Sequence, residues 1–407
     1  MSTFSELIDF TRSSTGTYLG SDGLIKIANV DEPRLEYDAS GQPLGLLIEE
    51  QRTNKVLYSN SLSGSAWSGT NCTITTDSTT SPDGNINASK LTCSGGSASV
   101  WQFPMPSGLS GNYSNSIYLK ADTLNYAQLN VGYLTTDFVA NFDLVNGTVT
   151  HILGTGATIT DVGNGWYRCS LPFNTLGSGG VSVTPIDSMS STRRSGAVGS
   201  VFVYGAQLEQ GSFPTSYIPT SGSTVTRNSD ACSLPLERYH HNAQSYTMYA
   251  EFQSSPKVPS DYERVWVLSN DDSPSDYVQL QYNTTSKMQV YSRYNNGANG
   301  NVSNIEVTDT TNKIALKVDG TVMRLACNGV LRQATLSNAI EDFTKLTIGA
   351  SDSISIPLNS HIKVIQSYAK GFTDAQLIDL TKPSSSPTMS LTFDGQATSE
   401  LVEGLHD

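Results

Sequence analysis

The chain has 407 residues, a formal net charge of −13 and only 15% charged residues. That length allows two or three domains, each large enough to bury its own core. The acidic balance argues against nucleic acid or an anionic membrane surface as a default partner.

Met1–Asp9 lacks the basic-then-apolar pattern of a secretory leader, and no apolar run reaches membrane-spanning length. Both features fit synthesis in a cytoplasm without membrane insertion. Short β-branched or alternating runs such as VSVTPI, VFVYGAQL and KIALKV are punctuated by Gly, Asn, Asp and Ser, which predicts an all-β chain built of sandwiches. The five cysteines (Cys72, Cys93, Cys169, Cys232, Cys327) match no zinc spacing, and free buried thiols are expected over a Cys72–Cys93 bridge.

In chain order, Phe10–Asn60 comes first. It carries the blocks FTRSSTGTY, NVDEPRLEYD and GLLIEEQRTN, with Arg12, Glu32, Arg34, Glu49, Glu50 and Arg52 set among apolar residues. Charges so placed belong on a strand edge or at an interface. The wording of the three blocks resembles the opening segment of tailed-bacteriophage virion proteins: tail fibres, receptor-binding proteins and head fibres. The resemblance implies a virion adhesin made in the host cytoplasm, with residues 1–60 as an attachment segment. Those six charged residues would then contact other virion proteins or neighbouring subunits of a homotrimer.

Residues 61–227 read as one module. Strand runs SVWQF, NSIYLKA, YAQLNVGYL, VANFDL, GWYRCSLPF and SVFVYGAQLE alternate with turns such as Val145-Asn146-Gly147. Trp67, SPDG, YLKA, FDL, GWYR and YGAQLEQG in this order resemble jelly-roll carbohydrate-binding modules. Residues 228–244 read as a polar connector, whose adjacent His240 and His241 cannot share a strand face.

Residues 245–382 read as a second sandwich. KIALKV, VMRLAC and VLRQATL are joined at Asp319-Gly320 and Asn328-Gly329, as in tight hairpins. Ile314, Leu316 and Val318 share one face, and Met323, Leu325 and Cys327 another. With LTIGAS and a closing D-A-Q-L helix over Asp374–Leu380, capped by Thr373, this resembles the concanavalin-like and laminin-G superfamily. Residues 383–407 open with a Pro-Ser linker and end as an acidic tail.

There is no G-x-S-x-G, H-E-x-x-H or P-loop, and no catalytic residue is assigned. A glycosidase carboxylate pair leaves no sequence signature, so a surface-polysaccharide hydrolase stays as an alternative, beside a head-fibre protein with little sugar affinity. Sugar binding needs aromatic faces and a few amide or guanidinium partners. Trp101, Tyr126 and Tyr133 supply them in the first sandwich; Tyr277, Gln279, Tyr291 and Arg293 do so in the second. Tyr277, Gln279 and Gln281 share one strand face, as do Tyr291 and Arg293, and a face mixing Tyr, Gln and Arg is poor core material. Asp271, Asp272 and Asp276, and separately Glu209, are oxygen-rich candidates for calcium without an EF-hand spacing; no other cofactor is expected. The expected partner is a host-surface glycan.

Overall fold

The computed structural model describes residues 8–62, 66–102, 109–132, 138–176, 180–236, 245–254, 262–270, 273–283, 285, 287–295, 297–308, 311–340, 343–351 and 357–383. Across these residues the chain is all-β with one short helix, Asp374–Thr381.

The first sandwich packs two six-stranded antiparallel sheets. One orders Thr148–Leu153, Phe138–Asp143, Tyr126–Gly132, Gly180–Ile186, Ser99–Gln102 and Trp67–Thr70. The other orders Thr158–Asp161, Tyr167–Leu176, Leu109–Ala121, Gly196–Gln210, Ile86–Gly96 and Cys72–Thr80. Alternate residues such as Leu129, Val131, Ile117, Leu171 and Val203 fill the space between them, as a two-residue period requires.

The second sandwich packs two seven-stranded sheets. Its inward residues include Trp266, Leu280, Met248, Leu316 and Ile362. The double hairpin forms as its sequence predicts. Asp319 pairs with Val322, and Cys327 with Val330. Asn328 and Gly329 take φ of 47° and 82°, the two positive values a type I′ turn demands. Thr373 caps the helix and forms a reciprocal capping box with Gln376.

Residues 8–60 do not stand apart. Asp9–Thr11 pairs with Ala231–Pro235 in one sheet of the second sandwich. Pro43–Ile48 pairs with Ser360–Tyr368 in the other and carries Leu35–Tyr37 at its outer edge. Phe10, Leu46 and Ile48 are buried in that core. The connector also supplies a sheet strand, Ala231–Pro235; His240 and His241 lie outside the described residues. The first sandwich is therefore inserted into the second through a neck in which Arg52–Asn54 pairs antiparallel with Val225–Arg227.

The expectation of free thiols holds for Cys169, Cys232 and Cys327, all buried, and is corrected for the other two. Cys72 and Cys93 are register partners on adjacent strands, which brings their Cα atoms to 4.1 Å, and they form a disulfide. Burial pushes the Cys327 thiol up to about 12, so it stays protonated at neutral pH.

Candidate functional site

In the second sandwich, strands Ser273–Tyr282 and Met288–Tyr294 lie side by side, with Tyr277 opposite Arg293, Gln279 opposite Tyr291 and Gln281 opposite Gln289. Val278, Leu280, Tyr282, Met288 and Val290 turn into the core. The other parity points away from that core, and Tyr277, Gln279, Gln281, Tyr291 and Arg293 share that face; Tyr277, Tyr291 and Arg293 are half-buried there, while Gln279 and Gln281 are buried. The neighbouring strands extend its rows. One runs Lys345, Ser269, Tyr277, Arg293; the next runs Thr347, Val267, Gln279, Tyr291; Arg264 leads a third through Gln281 to Gln289.

The Tyr277 and Tyr291 rings sit 6.1 Å apart at 49° and are half-buried. Gln279 donates from Nε2 to Gln281 Oε1 at 2.6 Å, and Gln279 Oε1 accepts from Arg264 Nε at 3.4 Å. Burial pulls the Arg264 guanidinium below its ordinary pKa, against the raising influence of Tyr277 and Glu263. The three rows carry Lys345, Arg264 and Arg293 and no carboxylate. Arg264, Gln289 and Lys345 were missed from sequence. Nothing local signals them, because strand register alone aligns them with the tyrosines.

The first sandwich keeps its predicted residues apart. Trp101 lies on the outer face, in a row with Ser182 and Asn130. Tyr126 lies two rows away, opposite Ile186 and Asp143. The row between, Thr184, Gln128 and Asn141, is sealed by the following loop. Gln128 Nε2 donates to Asn141 Oδ1 at 2.8 Å and to Thr192 O at 3.1 Å. Asn141 Nδ2 donates to Met189 O and Ser191 O. Trp101 and Tyr126 thus form no common platform. Tyr133 lies outside the described residues.

The calcium candidates change character. Glu209 is fully buried. Its Oε1 accepts from Gln207 Nε2 at 2.7 Å and Thr215 N at 2.8 Å, and its Oε2 from Thr215 Oγ1 at 2.6 Å. A carboxylate so saturated by protein donors is a structural acceptor, which corrects the metal expectation there. Asp276 Oδ1 accepts from Asn295 N. Asp271 and Asp272 lie outside the described residues, among which no cluster of metal-ligating side chains forms.

The charges expected to meet neighbouring subunits meet one another instead. Arg12, Arg34, Glu49 and Arg52 are buried. Arg12 Nη1 pairs with Asp230 Oδ1 at 3.1 Å, and Arg34 bridges Glu49 Oε2, at 2.7 Å, and Asp230. Arg227 approaches Glu49 at 3.4 Å, and Ser216 donates to it from both backbone and hydroxyl at 2.7 Å. Burial raises the Glu49 pKa, but Arg227, Arg34 and the Ser216 bonds reverse this and hold it well below the ordinary value. Arg52 pairs with Glu50 and stacks over Phe213. Glu32 caps Asn29 at 2.7 Å. These groups hold the neck and both sandwiches together inside one chain, so the buried four present no outer contact surface.

No family model matches the chain, and no curated protein matches it. Among solved structures it is similar to the CBM40 of the Ruminococcus gnavus IT-sialidase bound to α2,3-sialyllactose. That match has 16% identity and a TM-score of 0.30, over 34% of this chain and 84% of that one. It is also similar to domain 4 of the arabinanase AbnA from Geobacillus stearothermophilus, in complex with arabinotriose. Here identity is 13% and the TM-score 0.32, over 42% and 83% of the two chains. A SAP-like pentraxin of Limulus polyphemus follows at 8% identity and a TM-score of 0.27, over 33% and 69%. Likenesses at these scores say nothing about what this chain binds.

Proposed function

We propose that this protein is a non-enzymatic adhesin that recognises host-surface glycan on the Tyr277–Tyr291 face, as a subunit of a virion fibre or spike. The observation that carries the reading is the half-buried pair of tyrosines flanked by Arg264 and Arg293, with Gln279 and Gln281 buried between them. Tyrosine rings stack on the C–H faces of a pyranose, while guanidinium groups meet its hydroxyls. Each ring contributes about 1 kcal/mol. One copy binds weakly, and several copies in one particle supply avidity. The virion placement is supported by the wording of FTRSSTGTY, NVDEPRLEYD and GLLIEEQRTN, and a homotrimer is part of the same proposal.

The test changes Tyr291→Ala and Arg293→Ala together. The expected result is lost adsorption to host cells with an unchanged melting temperature. Unchanged adsorption removes the face from the site. Release of reducing ends from host polysaccharide by the unaltered protein overturns the non-enzymatic part.

A further inference from the structure

A second recess lies where the two sandwiches meet, far in sequence from the tyrosine face. It encloses about 550 Å³, within the size range of saccharide and cofactor sites, which favour domain junctions. The first sandwich contributes its edge strand Thr158–Asp161 and the neighbouring Tyr167–Leu176; the second contributes Glu36, Tyr37, Leu44 and His361; and a separate two-stranded sheet, Gly16–Leu19 with Ile25–Ala28, contributes Thr17, Tyr18, Leu19 and Ile25.

Its chemistry is that of a polyhydroxyl receptor. Tyr18 and Tyr37 line it, are half-buried, and have hydroxyls that bond to nothing among the described residues. Arg168 stacks over Tyr118 at 5.5 Å and donates from Nη2 to Ser116 Oγ at 3.1 Å, and its Nε has no hydrogen-bond partner among the described residues. Thr158 and Ser170 hydroxyls bond each other at 2.6 Å beside it. Glu36 is fixed on the other side, accepting Leu19 N at 3.0 Å and meeting His361 Nε2 at 2.6 Å. His361 Nδ1 is held in turn by Gln253 Oε1 at 3.0 Å. Asp161 uses Oδ1 to accept Gly163 N at 2.8 Å.

We infer that this groove is a second saccharide site, selective for neutral oligosaccharides. Two rings offer stacking faces, while hydroxyls, carboxylates and a fixed guanidinium offer directed hydrogen bonds in both senses. The charge decides the class. Glu36, Asp38 and Asp161 line the groove against Arg168 and a histidine already tied to Glu36. An anionic sugar entering it meets net repulsion. The site does not depend on the tyrosine face.

The test uses the full chain on an array of neutral gluco-, manno- and galacto-configured oligosaccharides, with 3′-sialyllactose as the anionic control, followed by calorimetry on the best neutral hit. Thr160 is exposed on the edge strand, so Thr160→Trp fills the groove without touching a core. Binding of a neutral oligosaccharide that is abolished by Thr160→Trp, and weakened about five-fold by Tyr37→Ala as the worth of one ring, supports the site. The same binding should survive the Tyr291→Ala/Arg293→Ala pair. Absence of any neutral ligand, or tighter binding of sialyllactose than of the neutral hit at the groove, overturns the inference. Neutral binding untouched by Thr160→Trp but lost in the Tyr291/Arg293 variant also overturns it, and leaves the tyrosine face standing.

Discussion

Glu49→Gln tests the buried ion network most directly. The substitution keeps shape and removes one charge, leaving Arg34 and Arg227 to share Asp230 with Arg12. Removing one partner of a buried pair costs about 3–5 kcal/mol. At about 2–4 °C per kcal/mol for a unit of this size, that is a drop of roughly 6–20 °C in melting temperature at pH 7. The sign of the pH dependence follows from the depressed pKa. Glu49 contributes its full stability above its ordinary value of 4.5 and loses it as pH falls toward the lower folded value. Between pH 4.5 and 3 the wild type should therefore lose about 2 kcal/mol that the variant does not. The gap between the two proteins, measured by denaturant unfolding at pH 7 and pH 3, should narrow by that amount. A cost under about 1 kcal/mol at pH 7, below the range for a broken buried pair, or a gap that stays constant with pH, refutes the argument.

Two further outcomes can be checked on the same protein. Deleting residues 1–60 removes the strand paired with Ser360–Ile362 and the buried Phe10, Leu46 and Ile48; the remaining 61–407 should aggregate or lose the cooperative transition of the second sandwich, and a soluble product with native near-ultraviolet circular dichroism would contradict this. Under denaturing, non-reducing conditions three thiols should react, rising to five after reduction, and Cys72→Ser should cost about 3 kcal/mol for opening a loop of this length; five reactive thiols before reduction would exclude the bridge.

Local patterns were readable in the sequence and long-range pairings were not. Ile314, Leu316, Val318, Met323, Leu325 and Cys327 announced their shared core by alternation and by the turn residues between them. Thr373, ahead of the D-A-Q-L pattern, announced a helix start. The outward parity of Tyr277, Gln279, Tyr291 and Arg293 followed from the same two-residue period. Arg34 and Glu49 looked like surface charges, because their burial depends on Asp230 and Ser216, nearly two hundred residues away. The strand Pro43–Ile48 carried a clear apolar run, yet nothing near it names Ser360–Tyr368 as its partner. Lys345 reaches the tyrosine face only through register with Ser269.

The two-stranded neck sets a rule for exchange. Arg52 faces Arg227, Thr53 faces Thr226 and Asn54 faces Val225, so the chain leaves and returns to the second sandwich at one place. Everything between those strands forms a single insertion whose ends already lie side by side, with Ser216 as its anchor onto Glu49 at the neck. A foreign β-sandwich with neighbouring termini, grafted at Asn54 and Val225, would inherit a ready-made closure instead of a long loop. One scaffold could then carry different recognition heads without altering how its own two sheets are strung.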